Sequence, residues 1–253
     1  VFLSLIFISI SISSCTSASV PIDYSIYHTY ERFQTDLHQI IEQTSNNTQT
    51  KLSVSEIRTH RNLPLEHITI TSQNQYIYTY SSDGILNKQK KPKVLLSFGE
   101  HARELIVLES LLDLLKNLTT PSSCTSITSF ILHHLDIHLL PLLNPDGKVH
   151  MENSGNDCYR NNGKGVDLNR NTDWQYAAFN HIGSSNQIGN EEYRGTAAWS
   201  EPETRFFRSI AQQNNYDVYI SVHSGEQQLF IPFVDTISKQ IKRKRSSTER
   251  ELL

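Results

Sequence analysis

The residues best suited to chemistry are His101 and Glu104, which follow the apolar run at residues 94–98. Imidazole nitrogens and carboxylate oxygens are ordinary zinc ligands, and a catalytic zinc ion takes three protein ligands and leaves one position for water. Because residues i and i+3 share one face of a helical turn, both side chains can reach a single ion. The pair therefore predicts part of a zinc site at the end of a strand.

Other histidines in the chain have a less informative context. His28 and Glu31 repeat the His-x-x-Glu spacing, but they lie in an amphipathic helical pattern over residues 27–41, which indicates a solvated helix face. His133 and His134 are adjacent in a predicted helix, so they cannot share one helical face. We interpret these histidines as surface or core residues and not as ligands.

His223 has the context of a third ligand. It directly follows a strand-like run at residues 218–222. Open α/β sheets bind their ligands beyond the carboxyl ends of the strands. His101 and His223, each at the end of a separate strand, can therefore meet in space.

Length and charge limit the possible function classes. The chain has 253 residues, enough for one sizeable α/β domain, and a formal net charge of −3 argues against a general nucleic-acid binder. The basic run at residues 239–250 predicts a solvated, disordered tail, with a nucleic-acid or anionic-lipid patch as the alternative. We assign residues 20–235 to one domain and residues 236–253 to the tail.

The N-terminal residues 1–19 have the composition of a secretory signal peptide. Their apolar core is too short for a stable membrane span and ends in small residues around Thr16 and Ala18. Since neither an initiator Met nor a basic leading segment is present, we expect the N-terminus to be incomplete. Secretion would leave Cys124 and Cys158, which are expected either to form one disulfide or to remain unpaired.

Hydrophobic periodicity predicts helices and strands that alternate along the chain. The helices are expected at residues 27–42, 104–118, 127–135 and 203–213, and the strands at residues 52–58, 67–71, 75–80, 94–98, 137–143 and 218–222. Strands alternating with helices, beginning with a parallel-type apolar strand, predict an α/β sandwich.

The connecting segments are predicted from turn and capping residues. Residues 87–93 read as a charged loop, and residues 144–147 as a tight turn. Ser200 is the expected N-cap of the last helix, with Glu203 completing a capping box. The Gly- and Asn-rich stretch at residues 151–195 is expected to be irregular, and such stretches inside a domain are usually functional.

Five short motifs, taken in order, resemble the zinc carboxypeptidases of the A/B type. They are Gly-Glu-His-Ala-Arg-Glu at 99–104, Asn-Pro-Asp-Gly at 144–147, Gly-Val-Asp-Leu-Asn-Arg-Asn at 165–171, Ser-Glu-Pro-Glu-Thr at 200–204 and Ser-Val-His-Ser-Gly at 221–225. The resemblance covers residues 27–232. It implies a mixed central sheet flanked by helices, here without the C-terminal strands and helix of the family.

The resemblance also implies roles for individual residues. The implied metal ligands are His101, Glu104 and His223, the oxyanion-stabilising residue is Arg160, and the substrate-binding residues are Arg103, Asn169 and Arg170. A planar guanidinium suits a terminal carboxylate because two parallel hydrogen bonds form at once. Asp167 is expected to be structural, as a partner of a ligand histidine.

These roles together describe a secreted exopeptidase that uses one Zn²⁺ ion and acts on peptide or protein C-termini. The chain departs from the family after His223, because the downstream glutamate that serves as general base and a mobile tyrosine are not present. Glu226, three residues beyond His223, is interpreted as a solvated loop carboxylate and not as a substitute base.

Because the general-base glutamate is absent, we expect the chain, as written, to have little or no carboxypeptidase turnover. Two alternatives to a peptidase remain open. One is a non-catalytic relative that binds zinc and peptide, and the other is an amide hydrolase on a related zinc fold that acts on small acylated amino acids. Asn169 and Arg170, which are expected to bind a terminal carboxylate, favour peptides over small acylated amino acids as substrates.

Overall fold

The computed structural model describes residues 4–10, 22–44, 48–119, 126–174, 176–177, 183–225 and 228–230. In chain order the elements within these ranges are β1 (Ser4–Ile10), α1 (Tyr30–Glu42), β2 (Thr48–Arg58), β3 (Pro64–Ser72), β4 (Tyr76–Tyr80), β5 (Leu86–Lys90), β6 (Lys93–Phe98), α2 (Ile106–Thr119), α3 (Ser126–His134), β7 (Asp136–Leu140), α4 (Pro145–Ser154), α5 (Pro202–Gln213), β8 (Val218–Ser224) and β9 (Gln228–Phe230). A single 3₁₀ turn covers Leu168–Arg170.

Seven strands form one mixed sheet in the order β2-β3-β7-β6-β8-β1-β9. The central neighbours β7, β6, β8 and β1 run parallel, whereas β2, β3 and β9 join the sheet by antiparallel pairing. Parallel pairing aligns the carboxyl ends of β6 and β8 on one edge of the sheet, which is the edge where the candidate ligands were expected.

Helices cover both faces of this sheet, so the predicted class is confirmed. Successive residues of a strand point to opposite faces. In β6, Leu96 and Phe98 pack with α1, α2 and α3, whereas Leu95 packs with α5 on the other face. Strands buried on both faces read as continuous apolar runs, which is why residues 94–98 showed no alternation.

Two connecting segments have more structure than predicted. Residues 87–93 were expected to be a loop, but β5 pairs with β4 in an antiparallel hairpin. Every residue of β5 is exposed, so this strand has no apolar side that a sequence pattern could reveal. Residues 144–147 were expected to be a turn, but Asn144 caps the start of α4 and Pro145 occupies its first turn. The same residue types favour turns and helix starts.

Two smaller predictions about helix α1 and helix α5 were also wrong. The N-cap of α5 is Glu201, whose side chain makes no capping hydrogen bond, and the Ser200 hydroxyl donates to Glu201 Oε1 at 2.7 Å. His28 is buried and not solvated, since its ring lies between Asp36 and Glu109. The partner Glu109 comes from α2, which the local pattern around His28 cannot reveal.

The N-terminal segment predicted to be a signal peptide includes Ser4–Ile10, which the structure places as a strand parallel to β8. The assignment of residues 1–19 to a signal peptide stays a prediction. No helix in the described ranges has both the length and the apolar character needed to cross a bilayer. The predicted tail at residues 236–253 and Cys124 lie outside the described residues.

A pair of histidines is buried on the α5 side of the sheet. His67 Nε2 lies 2.9 Å from His138 Nδ1, and the hydroxyl of Tyr216 lies 3.0 Å from the same nitrogen. Burial lowers the pKa of both imidazoles to about 4. An unfolded histidine has a pKa of about 6.5. The unfolded chain therefore binds more protons than the folded chain between these values, and stability falls as the pH falls through this range.

We expect replacement of His67 by Gln to reduce the acid sensitivity of folding. One neutral buried histidine accounts for a loss of about 2 kcal/mol of unfolding free energy between pH 7.5 and pH 5. Urea unfolding at both pH values measures this loss. The matched control is His133→Gln, at an exposed histidine of α3. An equal loss in the two variants would contradict the assignment of acid sensitivity to the buried pair.

Candidate metal centre

Three side chains meet at the carboxyl ends of β6 and β8. Phe98 and Val222 are register partners in these parallel strands, so the loop after β6 lies beside His223. His101 Nδ1 lies 2.7 Å from Glu104 Oε1, and His223 Nδ1 lies 3.0 Å from Glu104 Oε2. All three side chains are buried. The structure thus brings together the three residues that the sequence predicted as metal ligands.

The donor set fits a zinc ion. One ligand atom from each of the three residues lies within 4.8 Å of the others. Two imidazole nitrogens and one carboxylate are a common set for catalytic zinc and leave a position for water. Burial by itself would raise the pKa of Glu104, but the facing His101 and His223 hold it well below its usual range. The carboxylate is therefore ionised, as a ligand must be.

Asp167 holds the ring of His101 from the other side. Asp167 Oδ1 lies 3.3 Å from His101 Nε2, and Oδ2 accepts from Nε and Nη2 of Arg160 at 3.1 and 3.0 Å. This carboxylate is fully buried. Its burial opposes ionisation, but His101 and Arg160 hold its pKa well below the usual range. The contact expected between Asp167 and a ligand histidine is present, and it leaves Nδ1 of His101 for the centre.

Glu100 is a buried residue at this centre for which the sequence predicted no role. Its Oε2 lies 3.4 Å from His223 Nε2, and its Oε1 accepts from Ser97, Tyr219 and Ser221 at 2.7, 3.1 and 2.7 Å. Burial opposes its ionisation, yet His223 and Ser97 lower its pKa to about 2.

A signal for Glu100 was present in the sequence. Ser97 in β6 and Ser221 in β8 are polar residues inside apolar strands, and they are register partners. Polar residues at core positions require a partner. These serines therefore pointed to a buried polar group between the two strands.

The predicted substrate residues have different surroundings. Asn169 lies beside the centre, with Nδ2 3.4 Å from His223 Nε2. Arg170 Nη2 is 3.6 Å from Glu192, and its buried Nε has no hydrogen-bond partner among the described residues. Arg103 Nη1 donates to Glu191 at 3.0 Å. Both arginines thus face acidic loop residues, and Asn169 alone of the three touches a candidate ligand.

Two further predictions concern neighbouring residues. Cys158 is disulfide-bonded and therefore not a free thiol, whereas its pairing with Cys124 stays a prediction. Glu226 lies outside the described residues, so its interpretation as a loop carboxylate stays a prediction.

Comparison with known proteins identifies the family. The sequence profile of the zinc carboxypeptidases matches residues 37–252, most of the chain. This chain belongs to the zinc carboxypeptidase family. It is 27% identical to mouse carboxypeptidase A4 over 228 residues and 26% identical to zinc carboxypeptidase A 1 of Anopheles gambiae over 233 residues. These alignments cover 85% and 87% of this chain and 47% of each relative.

Solved structures show the same fold. Carboxypeptidase A from Helicoverpa armigera has a TM-score of 0.61 at 25% identity, with 82% of this chain and 49% of that chain covered. Thrombin activatable fibrinolysis inhibitor has a TM-score of 0.64 at 22% identity, with 82% and 50% covered. The zinc carboxypeptidase chain described here therefore spans about half the length of the relatives it matches.

We expect Glu100→Gln to weaken zinc binding at this centre by about 10–100-fold. The amide keeps the shape of the side chain but removes the charge that faces His223 Nε2. Competition with a chromophoric zinc chelator measures the affinity. Glu31→Gln, at an exposed glutamate of α1, is the control. Unchanged affinity in Glu100→Gln would exclude a role for the buried carboxylate in positioning His223.

Proposed function

We propose that this protein is a zinc-dependent metallocarboxypeptidase that hydrolyses the C-terminal peptide bond of peptides and proteins, and that the residues described here hold its zinc ion and the terminal carboxylate of its substrate. The observation that carries the proposal is the convergence of His101 Nδ1 and His223 Nδ1 on the Glu104 carboxylate at the end of two parallel strands. A zinc ion in this position would polarise the scissile carbonyl and lower the pKa of a bound water.

The chain's own residues would orient that chemistry. Asp167 contacts the ring of His101 from behind, and the Ser221 hydroxyl, at 2.8 Å, together with Glu100 contacts Nε2 of His223, so each ring keeps Nδ1 directed to the centre. Arg160 uses Nε and Nη2 to contact Asp167. Its remaining nitrogen, Nη1, is the group we assign to the oxyanion that develops on the scissile carbonyl, where a fixed positive charge lowers the barrier.

A carboxylate anchor would limit cleavage to the last peptide bond. Asn169 lies next to His223, and Arg170 follows it in the same 3₁₀ turn, so both can contact a substrate whose scissile bond lies at the centre. The buried Nε of Arg170 supports this role, because it has no acceptor within the described ranges and a carboxylate would supply one. Arg103 is proposed as a further substrate contact.

We also propose the secretory pathway as the location of the protein. The composition of residues 1–19 supports this, and so does the disulfide at Cys158, because disulfides persist in oxidising compartments.

The ligand set predicts the metal content of variants. His101→Ala and His223→Ala should each lower the zinc content by one ion per chain, since two protein ligands hold zinc poorly. Metal analysis after dialysis measures the content. His133→Ala, at an exposed histidine, should keep the ion. Full zinc content in both variants would contradict the assignment of His101 and His223 as zinc ligands.

The anchor assignment predicts a loss that depends on the substrate's terminus. Arg170→Ala should weaken binding of peptides with a free C-terminus by about 2–5 kcal/mol, because a desolvated carboxylate loses its partner. Amidated peptides lack that charge and should bind the variant and the unmodified chain alike. Calorimetry with both peptide types decides, and equal losses would mean that Arg170 does not read the carboxylate.

The same peptides separate the proposed activity from its two alternatives. Chelator-sensitive release of the last residue supports the carboxypeptidase. Binding of the free-terminus peptide without release supports a non-catalytic relative, and hydrolysis restricted to small acylated amino acids supports an amide hydrolase.

A further inference from the structure

A second group of metal-binding side chains lies where the loop after β2 meets helix α5. His60 belongs to the loop, Glu201 is the N-cap of α5, and Glu203 belongs to its first turn. One ligand atom from each of these residues lies within 4.8 Å of the others. None of the three is a member of the candidate metal centre. Glu201 and Glu203 come from the Ser-Glu-Pro-Glu-Thr motif, which the proposed peptidase mechanism does not use.

The three side chains already converge through hydrogen bonds. His60 Nε2 lies 3.0 Å from Glu201 Oε2. The Asn162 amide nitrogen donates to Glu201 Oε2 at 2.9 Å and to Glu203 Oε2 at 3.3 Å. One amide group thus bridges the two carboxylates and holds them side by side.

One carboxylate oxygen of Glu203 lacks a hydrogen-bond donor among the described residues. The side chain of Glu203 is fully buried, and the oxygen concerned is Oε1. A buried oxygen without a partner costs about 1–3 kcal/mol, and more if it is charged. A proton or a cation would supply a partner for this oxygen.

The charge balance around the cluster favours a cation. Asp146, also buried, acts on Glu203 as a like charge and accepts from the Thr59 hydroxyl and the Arg61 backbone N–H. In the described part of the chain, no lysine or arginine side chain forms an ion pair with Asp146, Glu201 or Glu203. His60 is their one ionic partner there, and its side chain is 33% exposed.

We propose that His60, Glu201 and Glu203 form a second site, for a divalent cation of the zinc and manganese class. An imidazole with two carboxylates suits these ions, whereas calcium prefers oxygen ligands alone. The ion fastens the loop after β2 to the start of α5 and neutralises the buried carboxylates. We assign the ion a structural role, because the proposed peptidase reaction uses none of its three ligands.

The site can be measured apart from the candidate metal centre. The variant His101→Ala/His223→Ala removes the first centre, and after chelator treatment it is titrated with Zn²⁺ and, separately, with Ca²⁺ in a calorimeter. We expect one Zn²⁺ ion per chain and at least 10-fold weaker binding of Ca²⁺. Adding Glu203→Gln should abolish the Zn²⁺ binding. Adding Glu31→Gln, another first-turn glutamate but exposed, should not.

A second measurement uses the chain with its first centre intact, in case the double variant does not fold. After equilibrium dialysis against Zn²⁺, the unmodified chain should hold two ions and Glu203→Gln one. An unchanged ion count in Glu203→Gln overturns the proposal. A folded double variant that binds no Zn²⁺ also overturns it, and then Glu203 holds a proton. Failure of the first centre would instead appear as full zinc content in the His101 and His223 variants, so the two outcomes are distinguishable.

Discussion

The parallel pairing of β6 with β8 is the constraint on which the site depends. Glu104 and His223 are 119 residues apart in sequence, and this pairing places them within 3.0 Å. Gly99 makes the arrangement possible, because the chain leaves β6 there with a φ of +64° and a side chain would meet Leu142 at 2.6 Å. Glycine adopts this conformation without the steric cost of a Cβ atom. The loop can therefore fold back across the strand end and direct two side chains at one point.

Two buried carboxylates, Glu100 and Asp167, determine which ring nitrogen of each ligand histidine faces the centre. Burying a carboxylate is costly unless hydrogen bonds and opposite charge offset the lost hydration. Glu100 receives three hydroxyl groups, and Asp167 receives the Arg160 guanidinium. Each carboxylate occupies one side of a ligand ring, so the opposite nitrogen of the ring is left for the centre. Residues in the loops beyond the strand ends thus orient the candidate metal centre without being its ligands.

The buried carboxylates at the start of α5 have fewer hydrogen-bond donors than those at the candidate metal centre. There, Glu201 and Glu203 share the Asn162 amide, and Asp146 lies close enough to raise the pKa of Glu203. A helix N-terminus favours negative charge, which offsets part of the cost of burying these carboxylates. In both regions the buried carboxylates lie next to the ends of secondary structure elements, where backbone and loop groups can reach them.

The sequence by itself determined the chemistry-bearing residues and the class of fold. His101, Glu104 and His223 stand at the ends of apolar runs, and strand and helix periods are local properties that a single chain displays. Ordered motifs then implied the family, because their sequence and spacing are read without coordinates. The prediction failed where one short pattern fits two structures, as at Asn144, or where a strand has no buried side, as in β5.

Only the tertiary structure decided which polar groups face one another. Glu100 meets residues of β8, His28 meets Glu109 of α2, and His67 meets His138 across two strands. These contacts join residues far apart in the chain, so no local period or spacing encodes them. Burial makes each contact matter, since a buried charge or imidazole takes its properties from its neighbours in space and not from its neighbours in sequence.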